Sequence, residues 1–218
     1  MTVSYSTLNA WVGSLAAAAI AVQTVGGDGL FELFAVLKVA TTLVLLGFWI
    51  KMASPGFESK ALVGLALFCC AVGDAALLSE SGFLWGLLAF LVADLLLMRV
   101  FATESRPVGL NAWVAIPTVL LALWFYTVLF PYTVHLSIPI ALYTLVIALM
   151  AIWSASLLLA RPSPATALIC AGAYSFLLSD AALATHRFVD VSLGADHWVL
   201  PLYWGALLLM VNGLLRLR

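Results

Sequence analysis

The sequence predicts an all-α polytopic membrane protein with eight transmembrane helices. Of its 218 residues, 65% are hydrophobic and 9% are charged, whereas about a quarter of the residues of a soluble domain carry a charge. The apolar residues fall into runs of about 20, the length that crosses the bilayer core as a helix. Because the net charge is −1, the chain has no basic surface for nucleic acid, and we expect no nucleic-acid partner.

The predicted spans are separated by short breaks of Gly, Pro, Ser and charged residues. They cover residues 7–25, 30–50, 60–79, 82–101, 109–130, 134–159, 164–185 and 197–215. Since no Lys or Arg precedes the first apolar run, we interpret it as a retained span rather than a cleaved signal peptide. We therefore expect a single transmembrane domain over residues 1–218.

The basic residues predict the orientation of the spans, because cytoplasmic loops carry an excess of Lys and Arg. With eight spans, all but one of the clearly placed basic residues fall on one side, and Arg187 falls on the other. The residues on the shared side are Lys51, Lys60, Arg99, Arg106, Arg161, Arg216 and Arg218. This predicts that both termini are cytoplasmic and that the protein is a multi-pass protein of the cell membrane.

Two aspartates lie inside apolar runs in the same local context. Gly73-Asp74-Ala75-Ala76 returns as Ser179-Asp180-Ala181-Ala182, and a shift of one residue sets Val36-Leu37-Lys38 beside Ala141-Leu142-Tyr143. The faint match is compatible with two four-helix halves. Because each half would contain an even number of spans, the halves would be parallel repeats.

The depth of the polar residues indicates where a site would lie. A carboxylate in hydrocarbon costs roughly 2.5 to 3.5 kcal/mol, so a buried aspartate marks a functional site and requires a partner. Measured from the predicted span ends, Asp74 and Asp180 lie about 9 Å deep. Lys38, Tyr143 and Tyr203 lie roughly 9 to 14 Å deep, and Asp94 lies nearer the middle. We expect the two aspartates to face each other across a cavity, with Lys38 within salt-bridge distance of one of them.

The excess of aspartates over lysines among the buried residues favours acid and base chemistry. One lysine among two or three aspartates leaves a carboxyl without a counter-charge, and burial then favours its protonated form. A protonated carboxyl beside an ionised one suits general acid and general base catalysis. In the alternative, Lys38 only neutralises a buried carboxylate and the tyrosines only pack. His135, His186 and His197 are expected to be surface residues at the outer interface, and neither a metal nor another cofactor is predicted.

These polar residues are where the chain resembles a known family, the YhhN-type lysoplasmalogenases, which are eight-span membrane proteins. The similar segments are Leu37-Lys38, Gly73-Asp74, Leu142-Tyr143, Phe176 to Asp180, Phe188 and Tyr203. The chain departs from the family pattern at Val39, Asp94 and Leu207.

The resemblance implies hydrolysis of the vinyl ether bond of a lysoplasmalogen, or of a similar ether lysolipid. The products would be a fatty aldehyde and a glycerophospho-headgroup, and the partners of the protein would be this lysophospholipid and the membrane lipids. We expect Asp74 and Asp180 to be catalytic. The expected supporting or substrate-binding residues are Lys38, Asp94, Tyr143, Ser179 and Tyr203.

Two other functions suit the same pattern. Parallel repeats with buried carboxylates also occur in proton-coupled transporters, in which Asp94 would be a relay. A catalytically silent lipid-binding protein is the third interpretation. A blind cavity open to the outer leaflet would favour the enzyme, whereas a path to both faces would favour the transporter.

Overall fold

The structure, a computed structural model, describes residues 4–25, 28–54, 59–105, 109–189 and 196–217. Within these ranges the chain forms eight α-helices and no strand, which confirms the all-helical prediction. The helices are α1 (Tyr5–Val25), α2 (Phe31–Met52), α3 (Lys60–Ala76), α4 (Phe83–Glu104), α5 (Ala112–Leu129), α6 (Ser137–Ala160), α7 (Pro164–Ala184) and α8 (Asp196–Arg216). Short 3₁₀ turns and one π-helical turn lie between them.

Seven of the described helices are long and apolar enough to cross a membrane, which confirms a polytopic membrane protein. The remaining one, α3, has 17 residues and rises about 25 Å. It ends at Ala76 rather than at residue 79, because Ser79 caps the next turn by accepting a hydrogen bond from the Gly82 N–H. Asp74 therefore lies in the last turn of α3, whereas the predicted span continued to residue 79.

The chain divides into two compact units, Met1–Leu97 and Met98–Arg218. In the first unit α2 packs against both α1 and α3. Its buried residues include Lys38, Thr42, Leu45 and Trp49, whose spacing places them on one helical face. The indole Nε1 of Trp49 donates a 2.9 Å hydrogen bond to the carbonyl of Lys60 at the start of α3. This bond fixes the start of α3 against the buried face of α2.

In the second unit α7 packs against α6 on one side and most extensively against α8 on the other. Small residues allow the close approach of α7 and α8. A Cβ added at Gly172 would lie 2.7 Å from the carbonyl oxygen of Ala206, and one added at Gly213 would lie 2.6 Å from that of Ala165. Since glycines let helix backbones meet in membranes, this pair holds α7 firmly in place.

Candidate active site

The carboxylate of Asp74 has a partner on α2 that sequence analysis missed. Thr42 Oγ1 donates a hydrogen bond of 2.6 Å to Asp74 Oδ2. Asp74 is 1% exposed and Thr42 is fully buried. This distance lies in the ordinary range of about 2.5 to 3.0 Å for a hydroxyl donor and an oxygen acceptor, so the buried carboxyl has a hydrogen-bond partner.

Lys38 lies on the same face of α2, one helical turn before Thr42. It is buried, and its ammonium group interacts electrostatically with Asp74. A direct salt bridge between Lys38 and either aspartate stays a prediction.

The position of Asp74 near the end of α3 has an opposing effect. The negative end of the helix dipole disfavours a carboxylate in the last turn by about 0.3 to 1 kcal/mol. A hydrogen bond to a charged group contributes about 1.5 to 3 kcal/mol, and the charge of Lys38 adds attraction in a medium of low dielectric. The helix dipole and burial thus oppose the ionised form of Asp74, whereas the Thr42 hydrogen bond and the charge of Lys38 favour it.

Gly73, which precedes this aspartate, provides room for a neighbouring ring. A Cβ at Gly73 would lie 2.6 Å from the nearest ring atom of Phe90 on α4. Asp94 follows Phe90 by one helical turn, so the two lie on the same face of α4. Asp94 is fully buried. It is therefore a buried carboxyl on the face of α4 that contacts α3.

The carboxyl group of Asp180 has a different kind of partner. The phenol of Tyr143, on α6, donates a hydrogen bond to Asp180 Oδ2 on α7. Tyr143 is buried, and Asp180 is partly buried. The donor at Asp180 is thus a neutral group, whereas Asp74 interacts with a cation.

Ser179 and Tyr203 connect α7 to α8. Ser179 Oγ donates a 2.8 Å hydrogen bond to the carbonyl of Val199. The ring of Tyr203 packs edge-on against Phe176, with 5.6 Å between the ring centroids. Phe176 lies one turn before Asp180, so Ser179 and Tyr203 hold the part of α7 that carries the carboxyl.

The three histidines that were expected at the surface differ in their exposure. His135 and His197 are exposed, but His186 is only partly exposed and its Nδ1 atom is buried. His186 lies in the π-helical turn Thr185–Val189, which directly follows α7. In the ranges that the structure describes, no three His, Cys, Asp or Glu residues are grouped as metal ligands.

Comparison with known proteins adds independent information about the chain. The model of the YhhN family matches residues 33–214, which include both aspartates and all their named neighbours. The Rattus norvegicus protein named lysoplasmalogenase TMEM86B is 32% identical over 186 residues, which are 84% of this chain and 73% of that protein. The Homo sapiens protein of the same name is 32% identical over 190 residues, 87% of this chain and 78% of that protein. No solved structure matches the chain.

Proposed function

The chain belongs to the YhhN family, and we propose that it is a membrane-embedded hydrolase that cleaves the vinyl ether bond of a lysoplasmalogen. The observation that carries the proposal is the 32% identity to two proteins named lysoplasmalogenase, over 84% and 87% of the chain. The products are a fatty aldehyde and a glycerophospho-headgroup. A single-chain lipid of this kind lies in one leaflet, with its vinyl ether just below the headgroup, and we assign the reaction to the cell membrane.

The chemistry of this bond requires a proton donor and a proton acceptor. Protonation of the β-carbon gives an oxocarbenium ion, and water adds to the α-carbon as it loses a proton. The resulting hemiacetal collapses when its hydroxyl proton leaves and the ether oxygen is protonated, giving an alcohol and an aldehyde. One carboxyl group that gives and then regains a proton, and another that takes and then returns one, would complete the cycle. A carboxylate also stabilises the positive charge of the intermediate, as in glycosidases.

Asp74 and Asp180 are the proposed catalytic residues. Support comes from their local surroundings, since each is at least partly buried and each accepts a hydrogen bond from a hydroxyl on the preceding α-helix. The proposed supporting or substrate-binding residues are Lys38, Asp94, Tyr143, Ser179 and Tyr203.

The test is release of aldehyde by the purified protein in lipid vesicles. The substrate is a 1-alkenyl lysophospholipid, and the matched controls are the 1-acyl and 1-alkyl lysophospholipids with the same headgroup and chain length. We expect aldehyde from the alkenyl lipid and no cleavage of either control. Absence of aldehyde, or cleavage of the acyl lipid alone, would contradict the proposal. In the first case, proton-coupled flux across the same vesicles would test the transporter.

A further inference from the structure

The indole of Trp204, on α8, carries a buried hydrogen-bond donor that has no acceptor. The side chain is 1% exposed, and its Nε1 atom is buried without a hydrogen-bond partner among the residues that the structure describes. An indole N–H can only donate. Because a buried donor without an acceptor costs free energy, such a group in a folded protein indicates a partner that comes from outside the chain.

Trp49 shows how the same chain satisfies another buried indole. Trp49 is also 1% exposed, but its Nε1 donates a 2.9 Å hydrogen bond to the carbonyl of Lys60. The two indoles are therefore equally buried, and they differ in whether the backbone supplies an acceptor. The donor of Trp204 is left for an acceptor of another molecule.

The contacts between α7 and α8 show where Trp204 lies relative to Asp180. Both helices belong to the second compact unit, Met98–Arg218. Residue numbers in the contacting pairs rise along one helix as they fall along the other, so the two helices are antiparallel. The pairs are Gly172 with Ala206, Phe176 with Tyr203, and Ser179 with Val199.

Asp180 and Trp204 lie on the same side of this helix pair. Asp180 directly follows Ser179, which contacts α8, and Trp204 directly follows Tyr203, which contacts α7. Each is therefore turned by about 100° from the contact face of its own helix, in the direction of a right-handed helix. Because two antiparallel helices are related by a two-fold axis perpendicular to both, these equivalent turns lead to the same side.

The two side chains also converge along the helix axes. Because Phe176 packs against Tyr203, the backbone of Trp204 lies opposite position 175 of α7, about five residues or roughly 7 Å from that of Asp180. Helical side chains point toward the N-terminus of their own helix. In an antiparallel pair these directions are opposite, so the carboxyl of Asp180 and the indole of Trp204 extend toward the same level.

We propose that the Nε1–H of Trp204 binds the free sn-2 hydroxyl oxygen of the lysolipid, so that Trp204 positions the substrate and selects for this hydroxyl. The inference rests on the proposed hydrolase function and extends it to recognition of the glycerol. Every residue that it uses lies in the unit Met98–Arg218.

The chemistry of the substrate selects this oxygen. With the vinyl ether at Asp180, the acceptors within about one helical turn are the ether oxygen and the sn-2 hydroxyl. The hydrocarbon chain has no acceptor, and the phosphate lies further toward the membrane surface. The ether oxygen gives electron density to the oxocarbenium ion, so a donor bound to it would oppose the reaction. The hydroxyl oxygen is not conjugated with the double bond, and a hydrogen bond to it leaves the reaction unopposed.

The indole is supported by the same side chains that hold α7. The rings of Trp204 and Tyr203 are tilted, with 6.2 Å between their centroids. Tyr203 packs edge-on against Phe176, which lies one turn before Asp180. A lysolipid bound through its hydroxyl at Trp204 would therefore be held at two points of one packed unit, which orients its double bond relative to the carboxyl.

The first test observes the indole directly and needs no turnover. Spectra of the wild-type protein with ¹⁵N-labelled tryptophan are recorded in nanodiscs, with a 1-alkyl lysophospholipid or with its sn-2 deoxy analogue. We expect the Nε1–H signal of Trp204 to move to lower field with the first lipid and to stay in place with the second. The signal is identified by its absence in Trp204→Phe. If that variant does not fold, phenylalanine variants of the other tryptophans identify the signal by elimination.

The second test compares the affinities of the two lipids, measured from the rise of the unfolding temperature with lipid concentration. The wild type should bind the hydroxyl lipid roughly threefold to tenfold more tightly than the deoxy analogue, the size that a neutral hydrogen bond supports. Trp204→Phe should bind both lipids equally, because its ring has no donor. Trp198→Phe is the matched control, since Trp198 is an exposed tryptophan in the first turn of the same helix, and it should keep the wild-type ratio.

The outcomes separate this contact from the reaction. A Trp204 signal that moves equally with both lipids, or with neither, would overturn the proposal. A preference for the hydroxyl lipid that survives in Trp204→Phe would show that another group recognises the hydroxyl, which would also overturn it. Because neither 1-alkyl lipid contains a vinyl ether, these results do not depend on hydrolysis. A wild-type protein that shows the contact but releases no aldehyde from the alkenyl lipid would contradict the hydrolase and leave the lipid contact established.

Discussion

The surroundings of Asp74 and Asp180 differ even though the two aspartates occupy the same local sequence motif. In both cases a partner comes from the preceding α-helix, and the repeat alignment sets Lys38 of α2 beside Tyr143 of α6. Continued by one turn, the alignment sets Thr42 beside Ile147, a buried apolar residue. The motif thus determines where the carboxyl group lies on its helix, and the preceding helix supplies the side chains that contact it. Asp74 interacts with the cation of Lys38 and the hydroxyl of Thr42. Asp180 accepts a hydrogen bond from the phenol of Tyr143.

The residues immediately before the two aspartates differ in a second way. Gly73 admits the ring of Phe90, so it brings α3 and α4 together by leaving space. Ser179 donates a hydrogen bond to the backbone of α8, so it connects α7 to α8 by a polar contact. The residue before Asp74 thus acts by packing, whereas the residue before Asp180 acts by a hydrogen bond.

The largest effect is expected from removing either carboxyl. Asp74→Asn and Asp180→Asn should each lower aldehyde release by at least about 100-fold, the usual minimum for losing a general acid or base. The amide keeps the shape of the side chain, but it can neither donate that proton nor carry the charge. The measurement is the initial rate of aldehyde release at saturating lysoplasmalogen, across pH.

Asp94→Asn is the control for this pair. It removes a carboxyl that is fully buried on α4 but is not one of the proposed catalytic groups, so the rate should fall less. Gel filtration of each variant shows whether it remains folded. Near-normal rates for both Asp74→Asn and Asp180→Asn would rule out the two-carboxylate mechanism, and inactivity of Asp94→Asn alone would favour a relay.

The sequence predicted the helices well because the apolar runs and polar breaks depend on local composition. Every predicted end of a described helix lies within three residues of the observed one. The end of α3 still mattered, because the cap formed by Ser79 stops the helix soon after Asp74. The free energy of the capped turn is close to that of a continued helix, so composition alone could not predict where α3 ends.

The site was predicted less completely, and Thr42 shows why. Its position one turn after Lys38 is visible in the sequence, since residues four apart share a helical face. A threonine in a helix commonly bonds a carbonyl of the preceding turn. Its neighbour Thr41 does so, with a 2.7 Å hydrogen bond to the carbonyl of Leu37. Thr42 donates to the carboxyl group of Asp74 instead, and only the packing of α3 against α2 determines this partner.

A smaller effect is expected from removing the cation. Lys38→Met should lower the rate about tenfold or more, because Asp74 would lose the charge that stabilises its ionised form; a tenfold change corresponds to about 1.4 kcal/mol. The acidic limb of the rate profile should also move to higher pH, since the carboxylate would then be protonated more easily. Lys38→Arg, which keeps the charge, should retain more activity. These rates are measured with the same aldehyde assay.

Lys51→Met is the matched control, since Lys51 is an exposed lysine in the last turn of the same helix. It should leave the rate unchanged. A fully active Lys38→Met protein would show that the lysine contributes nothing to Asp74, and the contrast between the two carboxyl environments would then rest on Thr42 and Tyr143.

The smallest effects are expected from changing Gly73 and Ser179, the residues immediately before the two aspartates. These substitutions should lower the free energy of unfolding. Gly73→Ala forces a methyl group against Phe90 and should destabilise the fold by about 2 kcal/mol, within the range for overpacked cores. Ser179→Ala removes one hydrogen bond to a carbonyl and should cost about 1 kcal/mol. The two variants are compared by thermal unfolding in detergent. Phe90→Leu should recover part of the loss in Gly73→Ala and none in Ser179→Ala, because only the first loss comes from contact with the ring. Equal recovery in both backgrounds would mean that Phe90→Leu stabilises the protein generally, and the steric explanation for Gly73 would fail.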